Sequence, residues 1–340
     1  MRRAASTPTI IIRQFQAADE RPVLELLNAT LGGGPAGRRP PDFFRWKHWD
    51  NPFGPSFMLV AESAGRLVGL RAFMRWRFEA SGRTIEAVRA VDTATHPDHQ
   101  GLGVFSRLTR AALEELQDQV ELICNTPNSS SLPGYLKLGW REVGRLPVGV
   151  RIRQPLRLAR ALRAPTGPRS PRPRIAADSA ARVLEWDDQV VGLLAEVQPG
   201  DDGRLRTPRD LAYLRWRYGR APLLDYAAVA EEEGGRYRGL AIFRVRPRSG
   251  AWEATIAELL VPSGDRRTAR RLLRRVAAAA PVDHLTLRAP EGTALAAAAA
   301  GFLPAPRGIR FVVRVLGDPA QPDPTHPRAW ALSLGDVEVF

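Results

Sequence analysis

One stretch limits the possible folds more than any other: Val91-Asp-Thr-Ala-Thr-His-Pro-Asp-His-Gln-Gly-Leu-Gly-Val-Phe-Ser-Arg-Leu108. The β-branched run from Val88 to Thr95 predicts a strand, Pro97 ends it, Gly101 and Gly103 allow a tight turn, and a helical pattern starts near Val104. At such a junction the first helical N–H groups have no partner within the helix and sit at the positive end of its dipole. An anionic oxygen can then be held by main chain alone, and side chains at Gly101 or Gly103 would block its approach. Two spaced glycines also serve many turns that bind nothing, so the flanking residues must decide.

Those flanks resemble one family. Thr95-His-Pro-Asp-His-Gln-Gly-Leu-Gly-Val104 is similar to the acyl-CoA pyrophosphate loop of the GNAT N-acyltransferase superfamily, which reads Gln or Arg, any, any, Gly, any, Gly or Ala, after an upstream proline. Gln100, Gly101 and Gly103 form a close variant and Pro97 is in place, whereas the last small position of the pattern is Phe105, a departure at the diphosphate end. A second segment, Asn128-Ser-Ser-Ser-Leu-Pro-Gly-Tyr-Leu-Lys-Leu-Gly-Trp140, resembles the family's next helix and strand, in which an Asn comes seven residues before the Tyr of Tyr-x-Lys-x-Gly-aromatic. Asn128, Tyr135, Lys137, Gly139 and Trp140 all match.

The resemblance implies acyl transfer from acetyl-CoA, or another acyl-CoA, to a primary amine on a small molecule or peptide, without a metal. The loop from Gln100 to Ser106, through Gly101, Leu102, Gly103, Val104 and Phe105, is expected to hold the diphosphate. Thr93, Ala94 and Thr95 are expected to align the pantetheine and thioester, and Asn128 to belong to the same cofactor site. Tyr135 carries a phenol suited to protonating the departing thiolate; its plain alternative is a half-buried tyrosine whose hydroxyl finds any partner. No base for the attacking amine stands out. Asp92 is the carboxylate nearest the thioester end of the strand, with a structural hydrogen-bonding role as the equal alternative, and Glu86, His96 and water stay open. In some tandem members of the family the terminal carboxylate is the base, which carries over to Phe340 as a hypothesis.

With 340 residues the chain has room for two domains. Its formal charge of +14 would ordinarily point to nucleic acid. Lys47 and Lys137 are the only lysines, however, and arginine enrichment beside abundant Ala, Pro and Gly reads as compositional bias, which argues against a nucleic-acid partner. Cys124 is the sole cysteine, so no intrachain disulfide forms. No apolar run approaches a membrane span and no signal-like h-region follows Arg2 and Arg3, so the cytoplasm is the expected location. His48, His96, His99, His284 and His326 lack metal-ligand spacing.

Taken in order, residues 1–8 read as a tail, 9–153 as the acyl-CoA lobe, 154–180 as a Pro- and Arg-rich linker and 181–340 as a second lobe. A helix is expected from Asp19 to Leu31, and a long hairpin from Trp140 to Ile152 closes the first lobe. Arg107 and Arg110, near the start of the helix at Val104, are candidate phosphate ligands. The second half echoes the first: Ala181 to Trp186 reads as its opening strand, and Leu211-Ala-Tyr-Leu-Arg-Trp-Arg217 repeats Phe43-Phe-Arg-Trp-Lys47. Ser263-Gly-Asp-Arg266 stands where the glycine loop would be, with a repulsive aspartate, and Ala297 replaces Tyr135, so no CoA is expected there. The tail from Trp330 to Phe340 reads as β-like and tied down.

The expected class is therefore α/β, of the α+β mixed-sheet kind, with two tandem GNAT-like lobes, each a mostly antiparallel sheet flanked by helices and the second degenerate. Three other functions remain at this stage: an acyl-CoA-binding module without turnover, an aminoacyl-tRNA-dependent transferase, against which the glycine loop argues, and a nucleic-acid binder whose affinity would fall steeply with salt.

Overall fold

The computed structural model describes residues 9–31, 39–163, 171–197, 202–317 and 322–337. The tail at 1–8, the glycines at 32–34 and Phe340 lie outside the described residues. Among the described residues fourteen strands form two seven-stranded sheets. In chain order they are β1 (Ile11–Gln14), β2 (Phe57–Ser63), β3 (Arg66–Ala80), β4 (Arg83–Thr95), β5 (Leu122–Asn125), β6 (Arg141–Leu146) and β7 (Gly149–Ile152) in the first half. The second half supplies β8 (Asp178–Ser179), β9 (Tyr226–Glu233), β10 (Arg236–Arg248), β11 (Ala251–Leu260), β12 (His284–Leu287), β13 (Leu303–Pro304) and β14 (Ile309–Val315).

The sheets run β1-β2-β3-β4-β5-β14-β6 and β8-β9-β10-β11-β12-β7-β13. Each lobe thus gives its last strand to the other, in the same place, between the fifth and sixth strands. The hairpin expected from Trp140 to Ile152 does not form: β6 pairs with β14 and β7 pairs with β12 and β13. Gly308 permits the crossing, since a Cβ there would run into the carbonyl of Leu146. Within each sheet all pairings are antiparallel except β4 with β5 and β11 with β12.

Eleven α-helices complete the described fold: α1 (Glu20–Leu31), α2 (Pro41–His48), α3 (Val104–Leu116), α4 (Leu132–Lys137), α5 (Pro155–Arg163), α6 (Ala180–Val183), α7 (Asp187–Val197), α8 (Leu211–Leu214), α9 (Arg266–Ala279), α10 (Ala294–Ala299) and α11 (Leu334–Val337). Two expectations change here. Ala181 to Trp186 is α6 and a turn, because Ser179 caps that helix by accepting from Arg182 N, and the opening strand is the two-residue β8 before it. The C-terminal segment forms α11 rather than a strand, with Leu334, Gly335, Asp336 and Val337 buried.

The apolar residues sort into three clusters that define the layers. One joins α3 and α4 to the outer face of the first sheet, and another joins α9 and α10 to the outer face of the second. The largest is shared, combining Leu27, Trp46, Trp76 and Phe311 with Trp216, Tyr218, Leu240 and Trp330. Two glycines set the outer packing: a Cβ on Gly69 would sit 2.7 Å from Val104 and 3.0 Å from Leu108, and one on Gly239 would sit 2.7 Å from Thr268 and 2.9 Å from Leu272. Each outer helix is therefore seated on a glycine of the third strand of its lobe.

Candidate active site

The site begins where β4 and β5 separate. Their parallel pairing stops at Arg89 with Cys124, while β4 continues to Thr95. At this point β4 also bulges against β3: the register jumps between Leu70 and Ala72, and Asp92 takes a φ of 36°. A bulge re-aims side chains, and here Asp92 and Thr93 turn to different partners.

Below the opening, a short 3₁₀ turn from Pro97 to His99 leads to Gly101 and Gly103, with φ of 76° and 74°. Gly103 is the N-cap of α3 and offers no side-chain cap, so the first N–H groups of the helix are left to whatever sits before them. A Cβ on either glycine would meet no protein atom within 4 Å, which means both faces border open space. That space is a cavity of about 530 Å³, lined by Thr30, Leu31, Thr93, Ala94, Thr95, His99, Gln100, Gly101, Gly103, Val104 and Phe105.

Eight of the residues anticipated from sequence meet on this cavity. Leu102 points outward at 39% exposure and Ser106 lies on α3 away from the lining. Asn128 is exposed and its Oδ1 accepts from Ser131 N at 2.8 Å, so the side chain caps the turn into α4. Arg107 is committed to the main chain, donating to Ile10 O at 2.7 Å.

Tyr135 is buried on α4 behind Phe105, ring edge to ring face at 5.8 Å and 88°. Phe105, the departure from the small residue of the family loop, has its room because position 134 is glycine: a Cβ there would sit 3.2 Å from its ring. Two residues that the sequence reading passed over belong to this region. Arg71 on β3 donates to Tyr135 Oη at 3.0 Å, and Asn125 at the end of β5 is buried with its Oδ1 unpartnered. The signal for Arg71 was its place between Gly69 and Phe73 on the buried face of an alternating strand.

Asp92 faces the opposite way, into the shared core, with its side chain 1% exposed. Lys47 Nζ lies 2.7 Å from Oδ2, His48 Nε2 3.1 Å from the same oxygen, and Arg39 Nε donates to Oδ1 at 2.9 Å. Burial alone would raise this carboxyl, but Lys47, His48 and Arg39 outweigh it and hold it well below the usual carboxylate range. A carboxylate so stabilised is a poor proton acceptor. Burial lowers the His48 imidazole, against the pull of Asp92, and its Nδ1 pairs with Ser56 Oγ at 2.8 Å.

The second lobe reproduces this arrangement, with a smaller cavity of about 170 Å³ at its outer helix, lined by Glu231, Glu232, Glu233 and Asp265 among others. By strand register Asp92 corresponds to Glu258, buried and held by Arg209 at 2.9 Å, Tyr218 at 2.7 Å and Ser333 at 2.9 Å. Arg209 and Tyr218 occupy the repeat positions of Arg39 and His48. The helix that matches α3 is closed, however: Asp265 caps α9, its Oδ1 accepting from Thr268 N at 2.9 Å. A carboxylate occupies the spot where an anion would have to bind. Among the described residues no group of His, Cys, Asp and Glu side chains could hold a metal ion, and no helix is long and apolar enough to cross a membrane.

Residues 11–143 match the family described as the acetyltransferase (GNAT) domain. No curated protein sequence matches the chain significantly. Solved structures share the fold over most of its length. A probable N-acyltransferase of unknown function from Enterococcus faecalis superposes with a TM-score of 0.62 at 14% identity, covering 91% of this chain and 73% of its own. A GCN5-related N-acetyltransferase from Anabaena variabilis gives 0.62 at 13% identity, with coverage of 91% and 73%. Eis1 from Mycobacterium abscessus gives 0.55 at 17% identity, with coverage of 91% and 74%.

Proposed function

We propose that this chain, whose N-terminal half carries a GNAT acetyltransferase domain, is an acyl-CoA-dependent N-acyltransferase that moves an acetyl group from acetyl-CoA to a primary amine. The observation that carries the reading is the uncapped N-terminus of α3, reached through two left-handed glycines that border a cavity of about 530 Å³. A diphosphate fits that end by backbone N–H groups and helix dipole. The gap between β4 and β5 then suits the extended pantetheine arm, with the thioester at the bulge near Thr93.

Tyr135 is the proton donor to the departing sulfur in this reading. Asp92 is a positioning residue rather than the base, because its ion cluster recurs around Glu258 in a lobe whose helix terminus is occupied by its own aspartate. The second lobe contributes shape and stability and binds no CoA.

Isothermal titration of the protein with acetyl-CoA, beside Gly103→Glu, tests the proposal. Micromolar binding that the variant abolishes supports it. A native protein that takes up no acetyl-CoA overturns it.

A further inference from the structure

Arg71 stands behind the reacting end of the proposed acyl-CoA site with part of its donor set unused. The side chain is fully buried, opposite the β4 bulge. Nη1 donates to Tyr135 Oη at 3.0 Å and to Thr93 Oγ1. Its central carbon lies 4.4 Å from the Phe73 ring, 5.2 Å from Tyr135 and 5.3 Å from Phe105. Nε and Nη2, which together form one bidentate edge of the guanidinium, have no partner.

Of the other buried cationic groups of this core, Lys47 and Arg217 are answered, whereas Arg89 keeps one unpartnered nitrogen, Nε, beside its hydrogen bond to Asp336 O. Lys47 meets the Asp92 carboxylate, and Arg217 donates to Gly335 O at 3.0 Å and to Tyr226 Oη at 2.9 Å. Arg71 has no carboxylate within ion-pair distance among the described residues. A charge taken out of water without a counterion is costly, and the three rings offset only part of that cost. The second lobe adds an independent observation. At the positions that match Arg71 and Tyr135 it has Ala241 and Ala297, so the pair is missing as a unit from the lobe with no glycine loop.

We propose that Arg71 is the electrostatic partner of the CoA sulfur, holding Tyr135 in place and supplying the positive charge toward which the C–S bond breaks. The inference rests on the reading of the N-terminal lobe as an acyl-CoA site. Because Tyr135 Oη accepts from Arg71, its own O–H is free to point at sulfur. When the tetrahedral intermediate collapses, the carbonyl re-forms, the C–S electron pair passes to sulfur, and the phenolic proton moves to sulfur to give the CoA thiol. The resulting phenolate keeps its hydrogen bond from Nη1, and the proton shed by the acylated amine restores the phenol through solvent. Arg71 neither gains nor loses a proton. Phe105 is explained by the same arrangement: its ring covers the guanidinium and excludes water, with Gly134 making the room.

The test compares CoA with desulfo-CoA by isothermal titration of the full chain, at about pH 7 and about pH 9, so that the ligand thiol ionises across the range. Wild type, Arg71→Met and Arg71→Lys are compared. Of the groups facing the guanidinium, Thr93 and the rings of Phe73 and Phe105 do not titrate, and Tyr135 is common to both ligands. Wild type is expected to favour CoA, by about threefold more at the higher pH, as a guanidinium–thiolate contact requires. Arg71→Met should bind both ligands alike at either pH, and Arg71→Lys should keep part of the preference. An unaltered preference in Arg71→Met overturns the proposal. Failure of wild type to bind even desulfo-CoA overturns the acyl-CoA reading instead. Thermal melting is the second readout: Arg71→Met should melt no lower than wild type, and a clear fall in Tm would make Arg71 a structural residue and sink its role at sulfur.

Discussion

Trp46 and Trp216 hold each other by reciprocal hydrogen bonds across the centre of the molecule. Trp46 Nε1 donates to Trp216 O at 2.7 Å, Trp216 Nε1 donates to Trp46 O at 2.9 Å, and the rings stack 5.2 Å apart. The two occupy equivalent positions in the repeat, so the internal two-fold relation of the lobes passes between them. Replacing either by Phe removes one donor and leaves a buried carbonyl unpaired, at about 1–3 kcal/mol. Chemical denaturation of Trp46→Phe, Trp216→Phe and the double variant should give equal single losses and a coupling of roughly 0.5 kcal/mol or more. Strict additivity would mean that the two bonds act independently.

Gly69→Ala and Gly239→Ala form a matched pair. Each adds a methyl against an outer helix, with closest approaches of 2.7 Å in both lobes, and overpacking of this kind costs about 1–3 kcal/mol. Both variants should lose stability to a similar degree. Only Gly69→Ala, which lifts the N-terminus of α3, should also weaken acetyl-CoA binding. Equal effects on affinity would remove the functional distinction between the lobes.

Tyr135→Phe should lower the chemical step by roughly 10²-fold, the low end for losing a general acid, with acetyl-CoA affinity little changed. Single-turnover kinetics beside equilibrium titration separates the two quantities. Unchanged turnover would take Tyr135 out of the reaction.

Asp92→Asn should cost more stability than Glu258→Gln, because it removes the carboxylate that faces both Lys47 and Arg39, whereas Arg209 keeps its ion pair with Asp336 at 2.8 Å when Glu258 is neutralised. The expected loss is about 3–5 kcal/mol for Asp92→Asn and clearly less for Glu258→Gln, read from denaturation midpoints. If Asp92 were free to act as a base, its amide variant would fold with nearly native stability, unlike its counterpart.

The pH dependence of stability has a defined sign. His48 and His284 are both lowered by burial, so below about pH 6.5 the unfolded chain takes up protons that the native protein refuses. Stability should therefore fall on acidification from that point and stay flat above it. Asp92, held low in the native state, adds a second loss: its contribution is complete above about pH 4 and disappears as pH falls through its depressed native value. Melting curves of His48→Gln should show a shallower slope between about pH 6.5 and 5 than wild type. A slope of opposite sign would contradict the burial of these imidazoles.

The parts of this fold that were legible in the sequence are those written in local pattern. The helix expected from Asp19 to Leu31 forms as α1 and ends at Leu31, and the glycine turn before Val104 announced both the tight backbone and the helix start. The degenerate lobe was visible because Asp265 and Ala297 stand in aligned positions. What local pattern cannot carry is a partner chosen from far along the chain. β6 and β7 follow each other with only Pro147 and Val148 between them, which looks like a hairpin, yet their partners lie more than a hundred residues away. Arg71 was missed because an arginine in a strand ordinarily marks the wet face, and Asp92 was weighed as a base because its cluster of Arg39, Lys47 and His48 exists only in three dimensions.

The exchange of β7 and β14 sets a timetable for biosynthesis. β5 is finished at Asn125, but the strand that must lie beside it begins only at Ile309. At roughly 5–20 residues per second, a ribosome needs on the order of ten to forty seconds to deliver it. During that interval the nascent N-terminal half has an unpaired strand edge open to chaperones or to a neighbouring chain. A shortened message that encodes the GNAT domain alone would leave that edge open for good. The second half, although it has lost the glycine loop, is thereby fixed in the gene as the supplier of one strand.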